Sequence, residues 1–596
     1  MPIRSLLSIS SDEFQTRHQE MSLKIDQFRD LESAVVAHSN RAAKKFSKRG
    51  QLLPRQRIEH LLDKGSHFLE LSTLAGYNMH DDDGKKTIAG GGNIIGIGFI
   101  SGVRCLITAN DSAIKGGSIS PMGLKKTLRA QQIALENKLP VVSLVESGGA
   151  NLLYQAELFV DGGKSFCNMA RLSAAGIPQI TVVHGSSTAG GAYIPGLSDY
   201  VIVVKDQAKI YLAGPPLVKA ALGEDADHEE LGGAMMHSTI TGTAEYLAED
   251  DAHGIHLARQ VVAQLGWNDE LRQERFTDFK EPLYSVDEIL GVVPCDFKTP
   301  YDVREVIGRI VDGSEFLEFK ALYGPQTVCG HARIHGMKCG IIGNNGPIFS
   351  AGANKATHFI QACNQSNTPL IYLHNIAGYM VGKEAEQSGI VKNGARMIQA
   401  VSNSAVPQIS ILIGGSFGAG NYGMCGRAYD PRFIFAWPNA RISVMGGEQA
   451  AKVMEIVLMN QLKRLFATMS ITGDDVAKVA NILRSDTEHW PKMIEEYGLP
   501  IKPDGLMFFA MNLAPKLQQM GIVVDVQSKK GILAQLADAL IGQFDRESTA
   551  LYATARIWDD GIIDPRDTRQ ILALCLQTCR EATQRTLYPN SYGIPR

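Results

Sequence analysis

Short, mostly apolar runs alternate with longer amphipathic stretches along the first half of the chain. The runs at residues 93–100, 103–108, 141–145 and 180–184 have the composition of strands that are buried on both faces of a sheet. Between them, residues 124–137 carry apolar positions at helical spacing. This alternation predicts successive strand–helix–strand units around a largely parallel sheet.

The pattern of the first half recurs in the second half. Residues 140–210 are echoed by residues 369–442, with an offset of 229 at three matched points. The matched segments are 139–142 with 368–371, 177–181 with 406–410, and 189–193 with 418–422. Repetition at a fixed offset indicates two copies of one fold. The second copy is therefore predicted to contain strands at 340–344 and 369–374 and a helix at 354–367.

The boundary between the two copies is predicted near residue 290. Residues 280–305 contain Pro282, Pro294 and Pro300 and show little periodicity. We therefore expect one domain at residues 1–290 and a second at residues 291–596. Ahead of the first copy, residues 13–64 have a helical pattern that is basic in part, which fits either a solvated helix face or cations for a phosphate-bearing ligand.

Composition narrows the classes of function. Of the 596 residues, 44% are hydrophobic and 20% charged, as in ordinary globular chains, and the net charge of −3 gives no case for nucleic acid. No apolar run approaches 18 residues, so no membrane span is expected. The nine scattered cysteines do not suggest a disulfide framework or a metal site. The first residues do not resemble a signal peptide, so the cytoplasm is expected, or the mitochondrial matrix in a eukaryote.

The loops of small residues in the two copies are the candidates for chemistry. Gly190 and Gly191 lack a Cβ, so a carbonyl group could come within hydrogen-bond distance of the backbone N–H groups. Ala419 and Gly420 occupy the matched positions in the second copy. A close contact between helix and strand is the alternative explanation for one such loop. Two matched loops favour a pair of oxyanion holes, one for each of two reacting molecules.

A team of acid and base side chains is not evident beside these loops. There is no Ser-His-Asp order, no His-Glu-x-x-His motif and no phosphate-binding P-loop. The titratable residues near the loops fit a structural role as well as a catalytic one; they are Glu146, His184, Glu384, Glu386 and Glu448. Chemistry that relies on two oxyanion holes needs a substrate that supplies its own base.

Several motifs carry a resemblance to a known family. They include Lys115-Gly116-Gly117, Glu146-Ser147-Gly148-Gly149-Ala150, Thr188-Ala189-Gly190-Gly191-Ala192-Tyr193 and Gly420-Asn421-Tyr422-Gly423. The chain resembles the carboxyltransferase (β) subunits of biotin-dependent acyl-CoA carboxylases, in their methylcrotonyl-CoA and geranyl-CoA branch. The resemblance implies an α/β fold made of two tandem crotonase-like (ClpP/crotonase) ββα-superhelix domains related by duplication.

The resemblance also implies roles for residues of both copies. The Gly190 and Gly191 amides would hold the thioester enolate, and the Ala419 and Gly420 amides the ureido oxygen of biotin. Carboxybiotin would release CO2, and the biotin nitrogen would take the substrate proton. Acyl-CoA would contact Lys115, Gly116, Gly117, Lys126, Arg129, Gly148, Gly149, Ala150, Ala192 and Tyr193. Carboxybiotin would contact Gly378, Gly418, Asn421 and Tyr422.

Partners follow from what the chain lacks. It has no biotinylation motif and no ATP-grasp signature, so the resemblance implies a partner α subunit that carries biotin carboxylase and the biotin carrier. It further implies a homohexameric core, a dimer of trimers. A decarboxylase subunit of the same fold and a non-catalytic scaffold are the competing hypotheses. Intact small residues in both loops argue against the scaffold.

Two segments depart from the pattern of the family. Residues 156–166 differ from the aromatic-rich stretch that is usual in methylcrotonyl-CoA carboxylases, so the identity of the acyl group stays open. Residues 462–546 are predicted to form an atypical helical insertion, which fits either a surface for a partner or an inert addition. Lys115, Lys125, Lys126 and Arg129 cluster in sequence and are expected to meet the phosphates of CoA.

Overall fold

The computed structural model describes residues 2–272, 279–468, 471, 473–519 and 521–589. It divides into two compact units. The first unit comprises Met1–Gly415, Gly420–Ala440 and Ala550–Arg596, and the second comprises Ser416–Ala419 and Arg441–Thr549.

A mixed sheet in the first half of the chain forms the centre of the first copy. Its strands are β1 (Leu69–Glu70), β2 (Asn93–Ile100), β3 (Val103–Asn110), β4 (Val141–Ser147), β5 (Gln179–Thr188), β6 (Tyr200–Val204), β7 (Lys209–Tyr211) and β8 (Tyr246–Ala248). They are ordered β1-β2-β3-β4-β5-β6-β8, and β7 pairs with β5. Strands β1 to β3 are antiparallel, and each later pair is parallel. Strand β4 is buried along its whole length, which explains its apolar sequence.

A second sheet repeats this arrangement. Its strands are β9 (Leu317–Glu318), β10 (Thr327–Ile334), β11 (Met337–Asn344), β12 (Leu370–Ile376), β13 (Gln408–Phe417) and β14 (Phe433–Ala436), in the order β14-β13-β12-β11-β10-β9. The antiparallel hairpin β10–β11 leads into the parallel pair β11–β12.

The helices of the first unit lie around these sheets in the same sequence order. They are α1 (Asp12–Asn40), α2 (Ala43–Lys48), α3 (Pro54–Leu61), α4 (Pro121–Asn137), α5 (Gln155–Ala174), α6 (Tyr193–Gly196), α7 (Pro215–Leu222), α8 (His228–Gly232), α9 (Ala234–Met236), α10 (Asp251–Gln264), α11 (Ile289–Val292), α12 (Val303–Ile310), α13 (Ser350–Gln365), α14 (Lys383–Gln387), α15 (Ile390–Ser402) and, beyond the second unit, α22 (Ala550–Ala555) and α23 (Thr568–Gln584). Helix α16 (Gly418–Gly423) follows β13 directly.

The two copies coincide element by element. Strands β4 and β5 and helix α4 begin 229 residues before β12, β13 and α13, because the pairs of first residues are 141 and 370, 179 and 408, and 121 and 350. The hairpins are instead 234 residues apart, since β2 begins at 93 and β10 at 327. The first copy therefore has five more residues between its hairpin and its helix, and these fall where Lys115–Gly117 forms a short 3-10 turn.

Glycines on the second strand of each sheet let an aromatic ring lie on the backbone. A Cβ atom on Gly96 would come 2.4 Å from Phe68 Cζ, and one on Gly330 would come equally close, at 2.4 Å, to Phe316 Cζ. Contacts of this length are sterically forbidden, so each ring depends on its glycine. Since Gly330 follows Gly96 by 234 positions, the same contact fixes the hairpin in both copies.

Each hairpin is also capped by an aspartate. The Asp63 carboxylate accepts hydrogen bonds from the Ser101 and Gly102 amides at 2.8 and 2.7 Å, and Arg259 donates to it at 2.8 Å. In the second copy Asp312 accepts from the His335 and Gly336 amides at 2.9 and 2.7 Å, and Arg569 donates to it at 2.8 Å. The arginine in each case comes from a later helix, so the cap ties the end of the copy to its start.

The second unit is helical. It contains the short strand β15 (Arg441–Ser443) and helices α17 (Gly447–Thr468), α18 (Asp475–Arg484), α19 (Trp490–Tyr497), α20 (Pro503–Gln519) and α21 (Ile532–Glu547). Its own apolar core includes Val479, Leu483, Leu506, Leu533 and Leu536, all nearly inaccessible to solvent. A separate core of this kind is typical of a segment that packs independently, and the segment is helical. Its description as an atypical insertion at residues 462–546 stays a prediction.

The α/β class and the two-copy architecture are confirmed, and the ends of the predicted strands and helices lie within four residues of the observed ones. The boundary at residue 290 stays a prediction, because β8 and β9 flank it but residues on both sides belong to the first unit. Within the described residues, no helix is long and apolar enough to cross a membrane.

Asp559 gives the fold a testable dependence on pH. Burial raises the pKa of this fully enclosed carboxyl to about 7, against about 4 for an exposed aspartate. The folded chain therefore binds a proton that the unfolded chain releases, and Asp559 lowers stability progressively as pH rises from about 4 to 7. Asp559→Asn should raise the melting temperature relative to wild type by an amount that grows over this range, measured by calorimetry. A difference that is constant with pH would contradict the shifted pKa.

Candidate functional site

The loop after β5 presents a backbone that is free of side chains. Residues Ala189–Ala192 form a 3-10 turn that leads into α6. A Cβ atom on Gly190 would have Phe166 Cζ as its nearest neighbour, at 3.7 Å, whereas one on Gly191 would press on Ser147 at 3.1 Å. Gly190 thus borders open space, and Gly191 lets the loop pack on β4. The absence of a Cβ atom leaves open space at Gly190 and allows close packing at Gly191.

The loop after β13 has the same backbone conformation. Its first residue, Gly418, has φ of +54°, and Ala189, which lies 229 positions earlier, has φ of +51°. Alanine in this left-handed region costs about 1–2 kcal/mol, so its retention indicates that the loop geometry is required. A Cβ atom on Gly420 would come 2.9 Å from Gly378 Cα, so no side chain fits there.

The neighbouring loops repeat as well. The Ile119 amide donates to Gly149 O at 2.8 Å, and the Ile348 amide donates to Gly378 O at 3.0 Å. Gly149 and Gly378 both have positive φ, of +82° and +122°. These hydrogen bonds hold the loops after β4 and β12 beside the small-residue loops, so the predicted Gly148, Gly149 and Gly378 belong to the loop framework.

Asn421 and Tyr422 continue the second loop in α16. The backbone of Gly426 lies against the Asn421 side chain, because a Cβ atom on Gly426 would come 1.8 Å from Asn421 Oδ1. Tyr422 is largely exposed, and its ring centre lies 5.6 Å from that of Tyr429. Because the Tyr422 side chain is exposed, a bound group could contact it.

An apolar cavity of about 600 Å³ opens beside Gly190. Helix α5 supplies much of its wall, and its lining includes Ile119, Leu124, Ala150, Gln155, Leu158, Phe159, Val160, Gly162, Gly163, Phe166, Gly190 and Ile194. Cavities of this size and composition bind small apolar ligands or ligand parts. The predicted contact residue Ala150 is part of this wall. Ala192 is buried, and the Tyr193 ring packs against Phe166 in a tilted arrangement, with ring centres 5.3 Å apart.

Two glycines enlarge this cavity on the α5 side. No heavy atom lies within 4 Å of the position that a Cβ atom would take on Gly162 or Gly163. Leu158, Phe159, Gly162 and Phe166 are spaced as one face of the helix, a periodicity that is visible in the sequence. The sequence departure at residues 156–166 is therefore the wall of the cavity.

Lys115 lies at the edge of a smaller cavity. This second cavity, of about 160 Å³, is lined in part by His80, Asp81, Lys115, Ser118 and Asn151, and it shares Ser118 with the apolar one. The Lys115 side chain is half exposed, and its Nζ lies 2.5 Å from Asp81 Oδ2. The Lys115 ammonium lowers the pKa of Asp81. Lys115 is thus a surface cation next to the apolar cavity.

The glycines of this turn hold it against β4. Gly116 and Gly117 both have positive φ, and a Cβ atom on Gly117 would come 2.1 Å from Glu146 O. The Gly148 amide donates to Gly116 O at 3.1 Å. Gly116, Gly117 and Gly148 therefore shape the site through backbone contacts.

Lys126 and Arg129 do not face a ligand, so the expectation that they bind CoA phosphates is wrong. Both side chains are buried, with 2% and 4% exposure. Lys126 Nζ donates to Asn93 O at 2.9 Å, and burial lowers its pKa to about 8. Arg129 holds Asp560 through two hydrogen bonds, of 2.7 and 2.9 Å. Both side chains therefore stabilise the interior of the fold. Their clustering in the sequence does not reveal this role.

Glu146 and His184 belong to a buried polar network. Arg57 donates to Glu146 at 2.9 Å and to Asp251 at 3.1 Å, and His184 Nδ1 lies 2.8 Å from Asp251. Burial lowers the pKa of His184, the side chain of which is inaccessible to solvent. The network joins α3, β4, β5 and α10, so its role is structural. Arg57 and Asp251 were not singled out in the sequence, because their contacts are between distant segments.

The remaining titratable candidates are not among the residues that line the apolar cavity. Glu384 and Glu386 are exposed on α14, and Glu448 is in the first turn of α17. Asp486, Glu488 and His489 cluster on the surface, but exposed acidic groups of this kind commonly bind no metal. The absence of a metal site stays an expectation.

Comparison with known proteins identifies the chain. The carboxyl transferase domain family matches residues 45–593. The chain belongs to the carboxyltransferase family. It is 44% identical to a probable mitochondrial methylcrotonoyl-CoA carboxylase beta chain of Drosophila melanogaster, over 98% of this chain and 94% of that one. A probable biotin-dependent acyl-coenzyme A carboxylase beta2 subunit of Mycobacterium tuberculosis is 45% identical over 96% of both chains.

A solved structure matches the chain end to end. The geranyl-CoA carboxylase beta subunit of P. aeruginosa is 52% identical, with a TM-score of 0.83 over 100% of this chain and 99% of that chain. The family resemblance is thereby confirmed, and this carboxyltransferase is the catalytic β-type subunit of an acyl-CoA carboxylase. The end-to-end match includes the helical second unit.

Arg129→Ala should destabilise this carboxyltransferase and leave acyl-CoA recognition unchanged. Removal of the guanidinium leaves the buried Asp560 charge unpaired, which costs about 3–5 kcal/mol. We expect a matching fall in the free energy of unfolding, measured with urea at low temperature. Lys125→Ala, at an exposed position on the same helix, is the matched control. An unchanged stability combined with a raised KM for acyl-CoA would restore the phosphate-binding hypothesis.

Proposed function

We propose that this carboxyltransferase carboxylates an elongated, methyl-branched and unsaturated acyl-CoA of the geranyl-CoA type. The observation that carries the proposal is the apolar cavity of about 600 Å³ beside Gly190, which two glycines of α5 extend. A five-carbon 3-methylcrotonyl group would leave much of this wall uncovered. Each additional buried CH₂ contributes about 0.8 kcal/mol, so the cavity favours the longer chain. The similar P. aeruginosa protein is named for geranyl-CoA.

The loop after β5 would stabilise the reacting thioester. With the acyl chain in the apolar cavity, its carbonyl reaches the Cβ-free backbone at Gly190 and Gly191. Two N–H donors aimed at the enolate oxygen stabilise charge that develops during proton removal. Lys115 lies where the phosphates of the CoA tail can leave the cavity, and it would exchange Asp81 for a phosphate oxygen.

The loop after β13 would hold carboxybiotin. When bound, this group supplies the CO2 and the base that removes the substrate proton. The Ala419 and Gly420 amides would donate to its ureido oxygen, with Gly378, Gly418, Asn421 and Tyr422 around it. A Cβ atom on Gly420 would collide with Gly378, so this glycine brings the loops after β12 and β13 together around the proposed ligand. The side chains named here position ligands and leave acid–base work to the biotin.

Assembly with other chains is part of the proposal. Four large apolar side chains beside the cavity are highly exposed: Leu152 (81%), Leu153 (83%), Phe159 (83%) and Val160 (77%). Such a patch usually marks an interface. We infer that another copy of the chain covers it within a hexamer, and that the biotin is carried by a partner α subunit. Light scattering of the purified chain tests the hexamer. The cytoplasm or the mitochondrial matrix would provide the partner and the acyl-CoA.

A reconstituted assay tests the function. The purified chain and its α subunit are incubated with ATP, labelled bicarbonate and a series of acyl-CoAs, and we expect the highest kcat/KM for geranyl-CoA. The isolated chain should show no activity and no band on a streptavidin blot. Release of CO2 from the carboxylated product without ATP-dependent carboxylation would favour the decarboxylase. No turnover of any acyl-CoA would favour the scaffold.

Gly190→Val should abolish most activity without unfolding the chain. The valine side chain would block the approach of the thioester, and a lost oxyanion contact costs about 100- to 1000-fold in rate. Its Cβ has room, with Phe166 as the nearest neighbour at 3.7 Å. Gly191→Val is the comparison, because its Cβ would press on Ser147 at 3.1 Å and should lower the melting temperature. Near-normal carboxylation by a folded Gly190→Val protein would refute the proposed oxyanion hole.

Gly162→Phe should change the preference for acyl chains. The phenyl ring would fill the extension of the cavity, so kcat/KM for geranyl-CoA should fall about 10- to 100-fold, because several CH₂ groups are no longer buried. The value for 3-methylcrotonyl-CoA should change little. Lys164→Phe places the same ring on an exposed position of α5 and is the control. Equal losses of kcat/KM for both substrates would show that this cavity does not select for the length of the acyl chain.

A further inference from the structure

A cavity of about 310 Å³ lies at the opposite end of the second sheet from the proposed biotin loop. Pro369 and Pro407, which precede β12 and β13, form its floor, whereas the loops of the site follow the other ends of these strands. Its walls carry Arg333, Lys338 and Arg580, and none of its lining residues, all of which are described, is acidic. We call this cavity the basic groove.

The corresponding edge of the first sheet is occupied by the chain itself. The residues after α23 run along it, and a Cβ atom on Gly176 would come 2.7 Å from Tyr588 O. Arg104 donates to the Glu581 carboxylate through two hydrogen bonds of 3.0 and 2.9 Å. Lys138 Nζ donates to the backbone carbonyl of Arg585. The first copy thus holds the last turns of α23 through the Glu581 carboxylate and the residues after the helix through one carbonyl oxygen.

The basic groove repeats this binding geometry at equivalent positions. Lys338 follows Arg104 by 234 positions, the offset of the hairpins, and Asn367 follows Lys138 by 229, the offset of the later strands. The pairing of Phe99 with Arg104 in the first hairpin becomes that of Arg333 with Lys338 in the second. The Lys338 ammonium group therefore lies at the position of the Arg104 guanidinium. The Asn367 side-chain amide lies at the position of the Lys138 ammonium group.

The charges of the groove call for an anion. Arg333 and Lys338 are exposed and lie directly opposite each other on antiparallel strands, an arrangement of like charges that is unfavourable by itself. Each donates to a backbone carbonyl, Arg333 to Gly336 O at 2.7 Å and Lys338 to Ser366 O at 2.6 Å. These contacts fix the two cations but supply no opposite charge, and the lining of the groove contains no carboxylate.

We propose that the basic groove binds an extended acidic segment of the biotin-bearing partner subunit. A Glu or Asp carboxylate of that segment pairs with Lys338 and Arg333, and the Asn367 amide donates to a backbone carbonyl. Docking at this end of the sheet leaves the proposed biotin loop open, so a carrier anchored there can still reach it. The proposal rests on the proposed function, which requires such a partner.

The binding test uses the full-length chain and its partner. The double variant Arg333→Glu/Lys338→Glu should bind the partner about tenfold more weakly or worse, and the affinity of wild type should fall with rising salt. Lys48→Glu/Arg49→Glu carries the same change in net charge at exposed positions outside the groove and should bind normally. Unchanged melting temperature and acyl-CoA affinity exclude a folding defect. An affinity within twofold of wild type in the groove variant would overturn the proposal.

A zero-length carbodiimide cross-link identifies the occupant. In the assembled enzyme, Lys338 should be joined to an Asp or Glu of the partner, as read by mass spectrometry of the peptides. Cross-links of Lys338 only to a second copy of this chain would assign the groove to the core and overturn the docking of the partner. If the groove variant carboxylates normally and binds the partner as wild type does, the role of the groove is refuted and the proposed function is not. If the wild-type chain never binds the partner, the proposed function itself is refuted.

Discussion

In both sheets, the loops at the carboxyl ends of the parallel strands approach one another backbone to backbone. The rest of the structure depends on this close approach. Gly117 lies against Glu146 O, and Gly420 lies against Gly378, at distances that a Cβ atom would forbid. These contacts place the main chains of neighbouring loops side by side, with no side chain between them. The hairpin caps by Asp63 and Asp312 then hold the strands at the register that brings the loops together.

The parts of the fold with a local signal in the sequence could be predicted. Strands β4 and β5 each contain a short, mostly apolar run, and their repeats are collinear, so both the strands and the duplication were visible. The contact between Arg129 and Asp560 joins residues 431 positions apart, and no local pattern reveals it. A buried lysine such as Lys126 looks the same in sequence as an exposed one. For that reason two of the predicted phosphate contacts, Lys126 and Arg129, fell on buried residues.

The candidate site was predicted through its glycines, and its cavity was not. Loops of small residues at matched positions have few explanations, so Gly190 and Gly420 stood out. The helical face formed by Leu158, Phe159, Gly162 and Phe166 is periodic, yet such a face usually packs into a core. Only the placement of α5 beside Gly190 shows that this face borders open space. Selectivity for the acyl group thus depends on tertiary placement.

The five extra residues between β3 and α4 of the first copy make the two copies of the fold different. The loops after β4 and β12, and those after β5 and β13, repeat closely in the two copies. The added turn places a positive charge, Lys115, next to the apolar cavity of the first copy. In the proposed function this charge would meet the polyanionic tail of the acyl-CoA and so fix its orientation. The broken pseudo-symmetry would then distinguish donor from acceptor without any change in the two small-residue loops.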